Sequence, residues 1–562
     1  MPMLHTRERP EMLTLTVEHS DDIPLLIAHM RRMGIPHILD RHIPTRAYWG
    51  NLTSGWTAVV WLTHILSCGD HKASTIQQWV SSRFGTLHWC IGSEVTPIDV
   101  DIDRLHDLLI GLSRDHQWQA IEHDLNRHVL ETWVWEIEQI HVRIYEGRVW
   151  HISPNGLFLV NQAHLWRARM SRQPMALAML DPLNMPLVLY SFSQERTHPA
   201  SFYDLVARIS QNLPPRRYRF TGDALTAVEF RGAIHQHNHE YLCLLPDSPS
   251  VLDAPLDNVR SARRMPFLSE DGHALPASPS SDGIEWLIPM RVDLNGSPVV
   301  WNERRIAVRS PNHARISEEA LRARLTRAQA ALLALGERKR GKRRPRTIED
   351  LREAAHAILD SYQVHGLLNL DFDEQVEERV VRRYRGRPTG VRIERNVRMK
   401  VSLNTDALSR AVHSLGWQVF GSNITPPEPA RDHMLSLTLP AASGFERLHG
   451  RPISLAPHDV HSPELETGLI RLLSLGLRAL ASLESIARRR LIEEGVLTRS
   501  ANQDNERSTS RITGERLLDA FRDMTFAPGF HHAPSGMTPL SPLQQRVLHL
   551  LELPSEIYQP KR

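Results

Sequence analysis

Arg216–Phe230 reads RRYRFTGDALTAVEF. Its first half has the short apolar alternation of a strand, which enters a turn at Gly222-Asp223. From Ala224 to Asn238 (ALTAVEFRGAIHQHN) the apolar spacing becomes helical. A strand that passes into a helix through Gly-Asp points to α/β architecture, and the flanks agree. Upstream, IHVRIYEG, RVWHIS, GLFLV, MALAMLD and PLVLYSF are short apolar runs bounded by Gly, Pro and Asn and read as strands, followed by a helical SFYDLVARISQNL. Downstream, EYLCLLP is the next strand. This order predicts an α/β fold with a mixed sheet and flanking helices.

Further out, Asp21–His141 is helical throughout. DDIPLLIAHMRRMG opens with acids and a Pro and stops at Gly34, and GWTAVVWLTHILS and DRLHDLLIGLSRDHQWQAIEHDLNRHVLE repeat the pattern. Trp56, Trp61, Trp118 and Trp133 lie on these segments and read as core residues. After a Pro- and Ser-rich stretch, EWLIPMRVDLNGSPVVWNERRIAVRS fits a hairpin turning at Asn295-Gly296. Two helices flank a basic loop, strand patterning returns, and ETGLIRLLSLGLRALASLESIARRRLIEEG forms a long helix with an apolar stripe. The expected domains are 1–138 (all-α), 139–247 (α/β), 248–415 (hairpin strands, helices and basic loops), 416–500 and 501–562 (C-terminal tail).

At 562 residues, with 41% hydrophobic and 23% charged residues, the composition is that of a globular protein of several domains. No run approaches the ~20 apolar residues of a membrane span. The N-terminal MPMLHTRERPEMLTL lacks a signal-peptide core, and Cys68, Cys90 and Cys243 are too scattered for disulfides or a thiolate metal site. A cytoplasmic location is expected. The net charge of +3 does not announce a polyanion partner, but its distribution is uneven. Arg338, Lys339, Arg340, Lys342, Arg343, Arg344 and Arg346 fall within nine residues. A second basic stretch, Arg379–Lys400, holds Arg382, Arg383, Arg385 and Arg387 around Tyr384. Either run alone reads equally well as a solvated loop; together they favour phosphate contact.

Several blocks, in order, resemble one group of bacterial insertion-sequence DDE transposases. They are DDIPLLIAHMRRMGIP, GWTAVVWLTHILS, MLDPLNMPL, TGDALTAVEFRGAI, WNERRIAVRSPNHA, GWQVFGSN, GRPISLAP, LIRLLSLGLRAL and TPLSPLQQRVL. The group belongs to the branch whose last catalytic acid sits in a helical Tyr-Arg-Glu-Lys signature. The resemblance implies a ribonuclease-H-like core interrupted by an insertion. It also implies three carboxylates holding two Mg²⁺ ions, because in-line displacement at phosphorus needs both the attacking and the leaving oxygen stabilised.

Aligned with those blocks, Asp223 takes the place of the middle acid and the metal ligand, although an Asp between strand and helix is also a good N-cap. The first acid's place falls on Tyr145, with Glu146 beside it as a displaced substitute. The third falls on Ala442, upstream of Gly444-Phe445-Glu446-Arg447, where Glu446 is the displaced substitute and Arg447 a candidate DNA contact. Leu435, Thr438 and His449 stand where the signature has Tyr, Arg and Lys. The expected protein is therefore a transposase-family protein for DNA transposition and recombination. It would bind double-stranded DNA, with a homodimer as a further expected assembly, and be inactive or weakly active, with Mg²⁺ not tightly bound. The rival readings are a working enzyme using Glu146 and Glu446, and a scaffold remnant without DNA binding. No nucleotide-binding loop is present. His235, His237 and His239 read as a solvated loop, and Asp99, Asp101 and Asp103 as acids at a helix start rather than a calcium loop.

Overall fold

The computed structural model describes residues 17–45, 50–70, 72–135, 137, 139–145, 150–153, 156–159, 175–192, 199–245, 283–309, 311–336, 347–381, 390–415, 417–424, 462–496, 512–527 and 536–559. The protein is mixed α/β and divides into two compact units. The first comprises Met1–Leu244, Pro289–Asn302 and Ser422–Arg562; the second comprises Leu245–Ile288 and Glu303–Gly421.

The first unit opens with β1 (Glu18–His19), α1 (Ile23–Arg32), α2 (Ile35–His42) and α3 (Ser54–Cys68). Gly34, at φ 76°, separates α1 from α2, as its position after the apolar run predicts. Thr53 caps α3 by accepting from the Trp56 amide, and Gly69 ends it in the left-handed region. α4 (Ala73–Ser81) and α5 (Phe84–Ile91) follow, then α6 (Ile102–Ser113) and α7 (Asp115–Thr132). Trp61, Trp118 and Trp133 are buried; Trp56 is only partly covered and carries the Arg31 guanidinium over its ring at 4.9 Å.

The segment Asp103–Glu131 reads as one continuous periodic run, but the chain breaks it at Arg114, which is extended. A distant side chain holds the break. Arg471 donates to the carbonyls of Leu112 and Ser113, at 2.9 and 2.7 Å, and pairs with Asp115. It thus satisfies carbonyls that the end of α6 leaves open.

Strands β2 (Gln139–Tyr145), β5 (Met175–Asp181), β6 (Met185–Ser191), β7 (Arg219–Thr221) and β8 (Glu240–Leu244) lie in a large mixed sheet in the order β6-β5-β2-β7-β8; β3 (Trp150–Ser153) and β4 (Gly156–Leu159) pair separately. β2, β5 and β6 form an antiparallel meander, while β7 runs parallel to both β2 and β8. α8 (Pro199–Gln211) precedes β7, and α9 (Val228–Gln236) joins β7 to β8. β9 (Gly283–Leu294) and β10 (Ser297–Arg309) are neighbours joined through Asn295 and Gly296, both at positive φ, as the Asn-Gly pair predicts.

In the second unit, α10 (Pro311–Gly336) and α11 (Ile348–Tyr362) pack with the base of a hairpin, β11 (Leu368–Val381) and β12 (Gly390–Leu403), and with α12 (Thr405–Ser414). Ala328, Leu332, Ala355, Leu359 and Val364 centre that core. β13 (Trp417–Ser422) closes the stretch.

The first unit resumes with α13 (Pro463–Glu493), a helix of 31 residues capped by Ser462. Sequence predicts a single apolar stripe, but Gly468–Ala487 is buried on all sides, Arg471 and Arg478 included. Residues 501–562, expected as a tail, instead carry α14 (Gly514–Asp519), β14 (Thr525–Ala527), β15 (Gly536–Met537) and α15 (Pro542–Leu550) within the first unit. Their buried side chains, Leu517, Phe521, Leu548 and Leu551, and the pairing of β14 with β1 tie them down.

Candidate functional site

The end of β7 is fixed from both sides. Ile140 pairs with Phe220 and His141 with Thr221, and His141 Nδ1 lies 3.0 Å from Thr221 Oγ1. The next residue, Gly222, has φ 115°, and a Cβ there would lie 2.1 Å from the Val142 carbonyl oxygen. Only glycine fits so close to the neighbouring backbone. Asp223 then opens a short 3-10 turn, Asp223–Thr226, that leads into α9. Buried Arg231 clamps this turn, donating to the carbonyls of Leu225 and Thr226 at 2.7 and 3.0 Å. Gly222 holds the N-cap position of the turn and Ala227 that of α9.

The parallel ladder ends at His141 and Thr221, and Gly222 then lies against Val142. Tyr145, which the resemblance aligns with the first acid, is the last residue of β2 and pairs with Met175 of β5. At roughly 3.3 Å per residue it lies about 13 Å along the strand from His141, where the parallel pairing ends. The turn that Asp223 opens therefore starts beside β2.

Glu146, Ala442, Glu446 and Arg447 lie outside the described residues, as do Arg338–Arg346 and Arg382, Arg383, Arg385 and Arg387. The flanks of the second basic stretch are described. They form the β11–β12 hairpin, in which Lys400 pairs across from Asp371 and Arg398 from Asp373. Near its base, then, the hairpin sets its cations opposite acids. Among the described residues no group of three or more His, Cys, Asp or Glu side chains is placed to hold a metal.

The histidine cluster corrects a sequence expectation. His239 is buried, with Nε2 2.8 Å from Ser210 Oγ, and its Nδ1 accepts from the Tyr218 amide. The ring of His237 lies 4.5 Å from that of Tyr203, and His235 stacks on Trp301. Burial lowers the pKa of all three. They pack around β8 because an aromatic wall covers the exit of α9, which local polarity does not disclose. Asp99 behaves as expected of an acid at a helix start. It accepts from the amides of Asn51, Leu52 and Thr96 and closes a capping box with Thr96.

Sequence reasoning missed a buried ionic cluster. Glu122 of α7 accepts from Arg208 at 2.5 Å, from Arg478 at 3.3 Å and from the Leu189 amide at 2.8 Å. Arg478 also donates to the carbonyls of Pro186 and Leu187, each at 2.9 Å, and Asn126 donates to Leu187 at 2.8 Å. These side chains cover the backbone of β6, the terminal strand of the sheet, against pairing with another chain. Charged residues inside otherwise apolar runs were the only available signal. No protein-family model matches the chain, and no curated protein matches it.

Proposed function

We propose that the chain is a transposase-family protein of the DDE type that binds double-stranded DNA and has lost its full metal-binding triad. The observation that carries this reading is the position of Asp223 at the exit of β7, beside β2, in a sheet ordered β6-β5-β2-β7-β8. An antiparallel meander followed by two parallel strands is the connectivity of a ribonuclease-H-like core. Such a core presents its first two acids from the neighbouring strands that β2 and β7 would represent. The helices up to residue 138 would form the DNA-binding and assembly region, with the basic runs of the second unit adding phosphate contacts. The protein would act in the cytoplasm, and a homodimer would be the assembled form. Catalytic impairment follows from the side chains available. Arg143 and Tyr145 offer no carboxylate from β2, and a single acid does not hold two Mg²⁺ ions.

The test has two arms. The protein should shift duplex DNA in a gel at ~50 mM salt, with affinity falling steeply as salt rises; no binding there would favour the scaffold remnant. It should not nick DNA carrying element ends in Mg²⁺. Nicking that disappears in Asp223→Ala would establish the working enzyme with displaced acids instead.

A further inference from the structure

The two edges of the large sheet end differently. At β6, Arg478 and Asn126 cover the carbonyls of Pro186 and Leu187, and Glu122 takes the Leu189 amide. The other edge is β9, which pairs only with β10 among the described strands. The two-residue turn at Asn295-Gly296 sets Leu294 opposite Ser297, so residues bonded to β10 recur at Leu294, Val292 and Met290. The N–H and C=O groups of Arg291 and Asp293 therefore point away from β10, and no described residue bonds to them. Pro289, which has no N–H to offer, ends this open row. Val292 faces inward and lies, with Trp301, against Gly232 of α9. Arg291 and Asp293 stand exposed on the opposite face, across from Val300 and Pro298 of β10. Neither charge has a counter-charge across its own hairpin.

An open strand edge is a template for another strand. An edge that only repels carries one sign of charge, so that copies of it push apart. This one alternates, cation then anion. We propose that β9 is a self-complementary docking edge, and that a second copy of this chain pairs with it antiparallel over Met290–Leu294. With the two-fold axis at Val292, Arg291 stands opposite the partner's Asp293, and Asp293 opposite the partner's Arg291. The same register joins the outward N–H and C=O groups, because residues opposed in this way exchange both bonds. A slip by two residues in either direction opposes Arg291 to the partner's Arg291 or Asp293 to the partner's Asp293, so charge also fixes the register. The edge supplies an interface for the homodimer of the reading above, on which it rests. So short a strand pair buries less than the roughly 1,200 Å² at which stable interfaces begin, and the dimer should be reversible at micromolar concentration.

Sedimentation velocity of the full chain, without DNA and across micromolar concentrations, should show a monomer–dimer equilibrium. Arg291→Asp and Asp293→Arg each set like charges opposite one another, twice by symmetry, and should weaken the dimer about tenfold or more. Both residues are exposed, so the monomer should fold as before. The decisive sample is the equimolar mixture of the two variants. One edge then carries acids at both positions and the other carries cations, so the mixed dimer recovers both pairs. It should form as readily as the parent dimer, although neither variant dimerises well alone. The double exchange Arg291→Asp/Asp293→Arg should also dimerise like the parent. A monomeric parent overturns the proposal, and so does a mixture that stays monomeric. A dimer that both single variants leave intact overturns it too, while the homodimer of the proposed reading stands on another surface. Duplex binding in the gel is a separate readout: its absence would sink the transposase reading whatever the edge does.

Discussion

The cluster around Glu122 and the exit of β7 treat charge in opposite ways. Glu122 is fully buried, yet two guanidiniums and a backbone amide meet its carboxylate. At β7 the fold relies on backbone: Gly222 lies against Val142, and Arg231 clamps the turn after it through carbonyls. The charges around Glu122 are mutually dependent and so are expensive to change singly. On the proposed reading, in which the fold outlives its chemistry, the charge of Asp223 should be cheap to lose, and mutation can break that comparison.

Glu122→Leu should have the largest effect. It leaves Arg208 and Arg478 buried without their anion, and removing one partner of such a set costs about 3–5 kcal/mol. Urea unfolding measures it. A loss under 1 kcal/mol would mean that Arg478 is held well enough by the carbonyls of β6 and that the cluster is ordinary packing.

The next test compares two glycines. A Cβ on Gly468 of α13 would lie 2.1 Å from the Leu109 carbonyl oxygen, the same distance as at Gly222. Gly468→Ala can be relieved by a small shift of α13 against α6. Gly222→Ala must also hold alanine at φ 115°, so it should cost more, about 3 kcal/mol in all. If Gly468→Ala proves the costlier, the β7 exit is softer than its geometry suggests.

Asp22 sharpens the comparison, because it is a buried acid with little compensation. Burial raises its pKa to about 6, with the Ser67 hydroxyl, at 2.6 Å, working the other way. A folded-state pKa above the unfolded value means that stability is lost as pH rises from about 4 through 6 and stays lost above it. Asp22→Asn should therefore stabilise the protein by about 3 kcal/mol at pH 8 and by almost nothing at pH 4. No cap is forfeited, since the Asp22 side chain makes no capping bond to α1. A gain independent of pH would show that the benefit does not come from removing a charge.

These sites also show what could be read from sequence. The strand, Gly-Asp turn and helix at 219–236 were legible because periodicity and glycine are local signals, as was the Asn295-Gly296 turn. The break at Arg114 was not, because the group that stabilises it, Arg471, lies 357 residues away in the chain. Arg208, Arg478 and Glu122 likewise look like solvated charges until α13 is seen buried all round. The approach of Gly222 to Val142 needed the register of a parallel pair, which no pattern in either strand specifies alone.

The smallest expected effect belongs to Asp223→Ala. Gly222 and Ala227 hold the cap positions of the turn and of α9, and Arg231 holds the turn through the carbonyls of Leu225 and Thr226. Stability should change by no more than about 0.5 kcal/mol. Duplex binding should be unaffected as well, since a lone carboxylate does not attract phosphate. The informative companion is Arg143→Asp, which puts an acid on β2, the strand beside which the turn at Asp223 starts. If only the acids were lost, this variant should bind Mn²⁺ more tightly than the parent by calorimetry, and Asp223→Ala should abolish the gain. No gain in Mn²⁺ affinity would mean that the exit of β7 has diverged in shape as well as in charge, and the reading of this site as a former metal centre would fall.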